Sequence, residues 1–186
     1  MLNYQVVTPP TEEPVSLTTA KLHLRVDGST DDALIGAYIV AAREKAEGLA
    51  RRAFVTQTLR ATLDAWPVER TISLPRPPLQ SVSSIKYIDA NGAEQTLGAG
   101  DYVIDTGSEP GRLSFKSSFA WPGSSLKEIG AIGITFVAGY GAAAAVPELY
   151  KQAILLILAF WYENREIGDV PAGIRDMLVS ERVVWF

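Results

Sequence analysis

The sequence predicts an α+β protein, a helical bundle of about four helices with an inserted antiparallel β domain. Three observations carry that expectation. Helical periodicity runs to about residue 54, short β-branched segments parted by Pro, Gly and Asn run to about 137, and helical periodicity then returns. A length of 186 residues suits one compact domain with a large insertion. A composition of 47% hydrophobic and 20% charged residues supplies a sizeable core. The expected organisation is 1–54 as the N-terminal helices of the bundle, 55–140 as the inserted β domain and 141–186 as the C-terminal helices and tail.

After the lead from Pro9 to Pro14, Ser16 is placed to cap a short helix whose Leu17, Ala20, Lys21 and Leu24 share a face. That helix is expected to stop near Asp27-Gly28. Ser29 with Asp32 three residues on forms a capping signal, and Asp31 and Asp32 sit where a helix N-terminus favours negative charge. In the long second helix Ile35, Ile39, Ala42, Ala46 and Leu49 repeat with helical spacing, beside Leu34, Ala37, Tyr38 and Ala41.

Expected strands are Val55 to Leu63, Thr71 to Leu74, Val82 to Ile88, Tyr102 to Ile104, Arg112 to Phe115 and Ala131 to Val137. Asp89-Ala90-Asn91-Gly92 is a hairpin turn, because Gly92 is free to take a positive φ. Pro75, Pro77 and Pro78 mark a sharp bend before the next strand. Gly139-Tyr140-Gly141 and Ala142 to Ala145 form a hinge before Pro147, which opens a third helix reaching about Glu166. Its stretch from Ala153 to Tyr162 is apolar all round, so burial on every side is expected, with a neighbouring subunit as one cover. The last segment, Gly173 to Phe186, reads as a short helix ending in Val183-Val184-Trp185-Phe186, and an apolar end seeks a partner or a groove.

Composition excludes several chemistries. Seventeen Lys plus Arg against 21 Asp plus Glu give a net charge of −4, which argues against gripping DNA phosphates. The basic residues are spread along the chain and offer no concentrated phosphate-binding face. With no cysteine and one histidine, thiolate chemistry and multi-histidine metal sites are out of reach for one subunit. Met1 to Pro10 has neither the positive charge nor the apolar stretch of a signal peptide, so synthesis in the cytoplasm is expected. The longest strongly apolar run is about half of the ~20 residues that a membrane helix needs, so no membrane partner is expected.

Candidate motifs have plain structural readings. His23 is the only imidazole base and lies in a short helix, with no Gly-x-Ser-x-Gly elbow in the chain. Asp27 to Asp32 looks like a calcium loop, but its glycine comes second and no glutamate closes a twelve-residue loop, so capping explains it better. Gly139-Tyr140-Gly141 lacks the rest of a phosphate loop. Phe119 and Trp121, beside Pro122, either anchor their loop or stack on a ligand, and loop anchoring is favoured. Trp161 to Glu166 ends the apolar helix in a polar tip, as a subunit contact or a solvated end. No catalytic residue, cofactor or metal is expected.

Glu13 to Asp27 followed by Asp31-Asp32-Ala33-Leu34-Ile35 resembles the opening of phage head-tail connector proteins, also called adaptor or head completion proteins. Arg52 to Thr58, Leu74 to Val82, Phe136 to Gly141 and Val146-Pro147-Glu148-Leu149 through Glu166 are similar to successive family blocks. Their order and spacing carry the resemblance, which fades beyond Glu166. The family often has an acidic residue where Thr19 stands, which would complete a capping box with Ser16.

The resemblance implies a structural virion protein without catalysis. It implies a dodecameric ring under the portal of a tailed phage, prophage or gene transfer agent, extending the DNA channel and offering a platform to the next neck protein, a head closure or stopper. DNA would pass through by enclosure, without tight binding. The protein would reside in the virion neck, and in the host cytoplasm during assembly. Ring contacts are expected from the second and third helices through Tyr38, Ala42, Arg43, Ala46, Glu47, Tyr150, Ile154, Trp161 and Arg165. Portal binding is expected from Ile174, Met177, Leu178, Val183, Val184, Trp185 and Phe186, because connectors of this type engage the portal with their C-terminal part. The alternative is a monomeric module whose β domain holds a peptide or sugar with Phe119 and Trp121.

Overall fold

A computed structural model describes residues 2–122 and 125–181. Helices and antiparallel sheets are both present, so the fold is α+β. The chain divides into two compact units. Among the described residues, one holds 2–9 together with 56–122 and 125–139, and the other holds Pro10–Val55 and 140–181.

The first unit contains β1 (Asn3–Thr8), β2 (Gln57–Leu63), β3 (Thr71–Ser73), β4 (Leu79–Ile88), β5 (Glu94–Thr96), β6 (Tyr102–Asp105), β7 (Arg112–Phe115) and β8 (Ile132–Ala138). They form a five-stranded sheet in the order β1-β2-β8-β4-β5 and a three-stranded sheet in the order β3-β7-β6. In β2, Gln57, Leu59 and Ala61 are buried on one face, the alternation that a half-covered sheet imposes. β8 lies between β2 and β4 and is buried along most of its length, as its run of Ile, Phe and Val suits. The Asp89 carboxylate accepts hydrogen bonds from the backbone N–H of Asn91 and Ala93, both at 2.9 Å, and Gly92 takes φ 85°. Gly111 has no room for a side chain, because a β-carbon there would lie 2.3 Å from Cβ of Leu79.

Two strands depart from the sequence expectation. β1 lies before the Pro9 to Pro14 lead, where no strand is expected, and its register, Asn3 opposite Thr62 and Val6 opposite Leu59, depends on a partner far along the chain. β5 has no apolar residue and is held by its ladder to β4 and by the Lys86–Glu94 ion pair at 2.6 Å. β2 also begins later than expected, since Val55 bridges Gly141 and is buried in the helical core.

The helical unit contains α1 (Leu17–Leu24), α2 (Asp32–Ala50), α3 (Glu148–Asn164) and α4 (Ala172–Ser180). Ser16 caps α1 by accepting from the Thr19 N–H at 3.0 Å. α1 stops before Asp27-Gly28, because Arg25 turns left-handed at φ 57° and its N–H reaches back to the Leu22 carbonyl. Asp31, not Ser29, is the N-cap of α2, and its carboxylate accepts from the Tyr162 hydroxyl instead of from its own helix. Asp32 pairs with Lys21 at 2.6 Å, tying α1 to α2.

One apolar core joins the four helices. Ile35, Ile39, Ala42 and Ala46 of α2 meet Ala153, Ile154, Ile157 and Trp161 of α3, with Val15, Phe54 and Leu178 in the same cluster. The chain itself does not bury α3 all round: Leu156 and Phe160 of the Ala153 to Tyr162 stretch are 41% and 36% exposed, and Leu149 on the same face is 38% exposed. Among the described residues no helix is long and apolar enough to cross a membrane.

Candidate assembly surface

The residues expected to join subunits lie mostly inside the chain's own core. Tyr38, Ala42, Ala46, Tyr150, Ile154 and Trp161 are all buried. Trp161 meets Tyr38 edge-on at 6.5 Å between ring centroids, and Tyr150 stacks on Phe54 at 4.5 Å. Burial, and then the hydrogen bond with Tyr140, push the Tyr150 phenol well above its ordinary pKa. These six side chains are core packing, and their apolar spacing marks the helix face turned toward the rest of the chain.

Arg43 and Glu47 are buried as well, in an ion network internal to the helical unit. Arg43 Nε donates to Glu13 Oε2 at 2.7 Å and Nη1 donates to Glu47 Oε2 at 3.0 Å. The other Glu47 oxygen accepts from the Phe54 N–H at 2.7 Å. Burial works against the Arg43 charge, but the Glu13 hydrogen bond and the Glu47, Glu13 and Glu44 charges outweigh it and raise the guanidinium pKa. The network therefore fastens the segment before α1 and the chain after α2 to the middle of α2. Of the nine expected interface residues only Arg165 is exposed, with its guanidinium over the Tyr162 ring at 5.1 Å.

The C-terminal expectation divides. Leu178 is 0% exposed, and Ile174 and Met177 pack against the same helical core. Those three residues hold α4 on its own chain, Leu178 fully buried and Ile174 and Met177 half-buried. Val183, Val184, Trp185 and Phe186 lie outside the described residues.

The surface of the helical unit is built by other residues. α3 turns Leu149, Gln152, Leu156, Phe160 and Glu163 outward, and α2 turns Ala33, Ala37, Val40, Glu44 and Gly48 outward. The second series steps by four, three, four and four residues, so a helical wheel shows it as a stripe opposite the core. That stripe was the readable signal, obscured because the larger apolar residues of α2 draw attention to the buried face.

Chemistry elsewhere is sparse. Among the described residues no group of His, Cys, Asp and Glu is arranged to hold a metal ion. His23 is exposed on α1. Gly139 and Gly141 take positive φ values of 124° and 129° at the strand-to-helix turn. Phe119 and Trp121 pack into an aromatic cluster with Trp66 and Phe115, where Trp121 stacks on Trp66 at 5.0 Å. Arg70 lies over the Trp121 ring and donates to the carbonyls of Lys116 and Phe119, so the cluster fastens its loop.

Known structures give the first likeness. A chain in the virion of a native gene transfer agent (GTA) particle is 25% identical, with a TM-score of 0.79 over 98% of this chain and 96% of that one. A chain in the neck of an empty GTA particle computed with C6 symmetry is 27% identical, with a TM-score of 0.77 over 100% and 97%. A chain in the neck of a native GTA particle computed with C12 symmetry is 28% identical, with a TM-score of 0.73 over 100% and 97%. The similar chains are thus parts of a virion particle, two of them of its neck. Residues 14–99 match the model of the Phage gp6-like head-tail connector protein family. No curated protein matches the chain.

Proposed function

We propose that the chain is a head-tail connector that forms a twelve-membered ring under the portal of a tailed phage, prophage or gene transfer agent. The observation that carries this reading is the likeness, over essentially the whole chain, to a neck chain in a particle computed with C12 symmetry. In this reading the expected division at 54 and 140 shifts slightly: 10–55 and 140–181 form the helical bundle of each subunit, and 2–9 join 56–139 in its β unit, because β1 pairs with β2. The ring extends the DNA channel and presents a platform to the next neck protein, in the neck of the particle and, during assembly, in the host cytoplasm.

Two further points belong to the same reading. A chain of net charge −4 surrounds DNA by enclosure, without the counterion release that makes binding tight. The terminal Val183-Val184-Trp185-Phe186 supplies an aromatic and aliphatic anchor for the portal. Removing those four residues should abolish portal attachment and shift stability by no more than about 1 kcal/mol, the range of a surface change.

Imaging the protein assembled with its own portal protein tests the reading. Ring density of twelve copies against the portal is the expected result. A monomer bound elsewhere on the particle, or no association under conditions where portal and tail join, would overturn it.

A further inference from the structure

We infer that neighbouring copies in the ring meet by laying α3 of one copy along α2 of the next, with Leu149, Leu156 and Phe160 as the inserted side chains. The inference rests on the ring reading and adds to it the surface and its occupant, a second copy of this chain. A rotational ring requires a head-to-tail contact, in which two different patches of the same chain meet. The symmetric necks in which the similar chains reside call for such a contact.

The outward face of α3 is the first patch. Leu149, Leu156 and Phe160 recur at intervals of seven and four residues, the spacing of a single helix face, and each is more than a third exposed. Gln152 and Glu163 lie on the same face and supply its polar part. Large apolar side chains aligned in solvent, with polar residues among them, have the composition of an interface that assembly covers.

The outward face of α2 is the second. Ala33, Ala37, Val40 and Gly48 leave a shallow surface into which large side chains fit, and small residues let two helix axes approach closely. The glycines sharpen the case. A β-carbon added at Gly36 or Gly48 meets nothing within 4 Å. The single chain therefore has no steric need for glycine at either place, although each weakens the helix relative to alanine. Close approach by another chain is a steric reason for both.

The chain has no cysteine, which makes a cross-linking test clean. Leu156→Cys and Ala37→Cys are made singly and together, the variants are assembled with the portal, and a short bis-maleimide is added. The double variant should give a ladder of covalent oligomers, and each single variant should remain monomeric on a denaturing gel. Dimers from Leu156→Cys alone would mean that α3 meets α3 about a two-fold axis and would overturn the inference. A ring seen by imaging with no ladder from the double variant would overturn the inference and leave the ring reading intact. Absence of any ring in the wild-type assembly would overturn both. As an independent arm, Leu156→Lys should lower ring occupancy at least tenfold while the free protein melts as the wild type does, and unchanged occupancy would count against the assignment.

Discussion

Helices α2 and α3 share one core, and the second half of α2 fills it with different materials from those of α3. α2 buries alanines at 42, 46 and 50 with an ionic residue pair, Arg43 and Glu47, whereas α3 buries Ile154, Ile157, Leu158 and Trp161. The pairing is complementary, since small side chains on one helix leave the volume that large ones on the other occupy. Outside the core the contrast repeats, with Ala33, Ala37 and Gly48 on α2 against Leu149, Leu156 and Phe160 on α3. The comparison teaches that apolarity marks a helix face as covered without saying by what. On α2 the apolar stripe is covered by the chain itself, while on α3 the apolar surplus leaves one face uncovered.

The largest expected effect is at the ionic residues. Arg43→Glu would place a third carboxylate beside Glu13 and Glu47 in a site from which water is nearly excluded. Breaking a buried pair in this way costs about 3–5 kcal/mol or more. Against a total stability of about 5–15 kcal/mol, urea denaturation should show a collapsed midpoint or no folded protein. The variant is therefore a test of folding, not of ring contacts, and a midpoint equal to the wild type would show that the network does not hold α2 to its flanking segments.

Two positions on α3 sharpen the contrast between its faces. Ile154→Ala removes a fully buried side chain and should cost about 2–5 kcal/mol, whereas Leu156→Ala, at 41% exposure, should stay within about 1 kcal/mol. Equal losses in thermal denaturation would erase the distinction between an inner and an outer face. A smaller effect is expected at the start of α1, where Ser16→Ala leaves the Thr19 N–H without its cap and should cost about 1 kcal/mol. No change in the melting curve would mean that water replaces the hydroxyl fully.

The smallest effect sets the buried arginine against an exposed one in the β unit. Arg112 donates to Asp105 at 2.6 Å, and this hydrogen bond, with those from Ser108 and Gly107, holds the Asp105 carboxyl below the usual carboxylate range. A carboxyl lowered in the folded state adds stability above its unfolded pKa, and that contribution is lost as pH falls through the folded value. NMR titration should find Asp105 ionised to lower pH than a free aspartate, with Arg112→Ala returning it toward the ordinary value. An unshifted titration in the wild type would show that the exposed pair is screened by solvent.

Local signals carried much of the fold. The Ser16 cap, the Asp89–Gly92 turn and the apolar spacing of Ile35, Ile39, Ala42 and Ala46 each depend on residues within a turn or two of one another. The same was true of β7, whose bounds Arg112–Phe115 follow from its own residues and flanking turn. β1 and β5 were not legible, because each is ordered by ladder hydrogen bonds to a partner strand and neither has a buried stripe of its own. The assembly surface was legible only in part. The stripe on α2 is visible in the spacing of its small residues, but Arg43 and Glu47 read as surface charges until Glu13 and the Phe54 N–H are brought to them.

By itself, then, the sequence determined the α+β class, the absence of thiol chemistry, the order of the helices and of every strand but β5 after residue 16, and the likeness to the connector family that its ordered blocks carry. Only the tertiary structure decided that Tyr150, Ile154, Trp161 and Leu178 are core, that Leu149, Leu156 and Phe160 are surface, and that the chain before α1 opens with a strand. The physical reason is range. Capping, turns and periodicity are fixed by neighbours within a few residues, whereas burial depends on which distant segment arrives to exclude water, and an apolar helix such as α3 offers more than one face for that role.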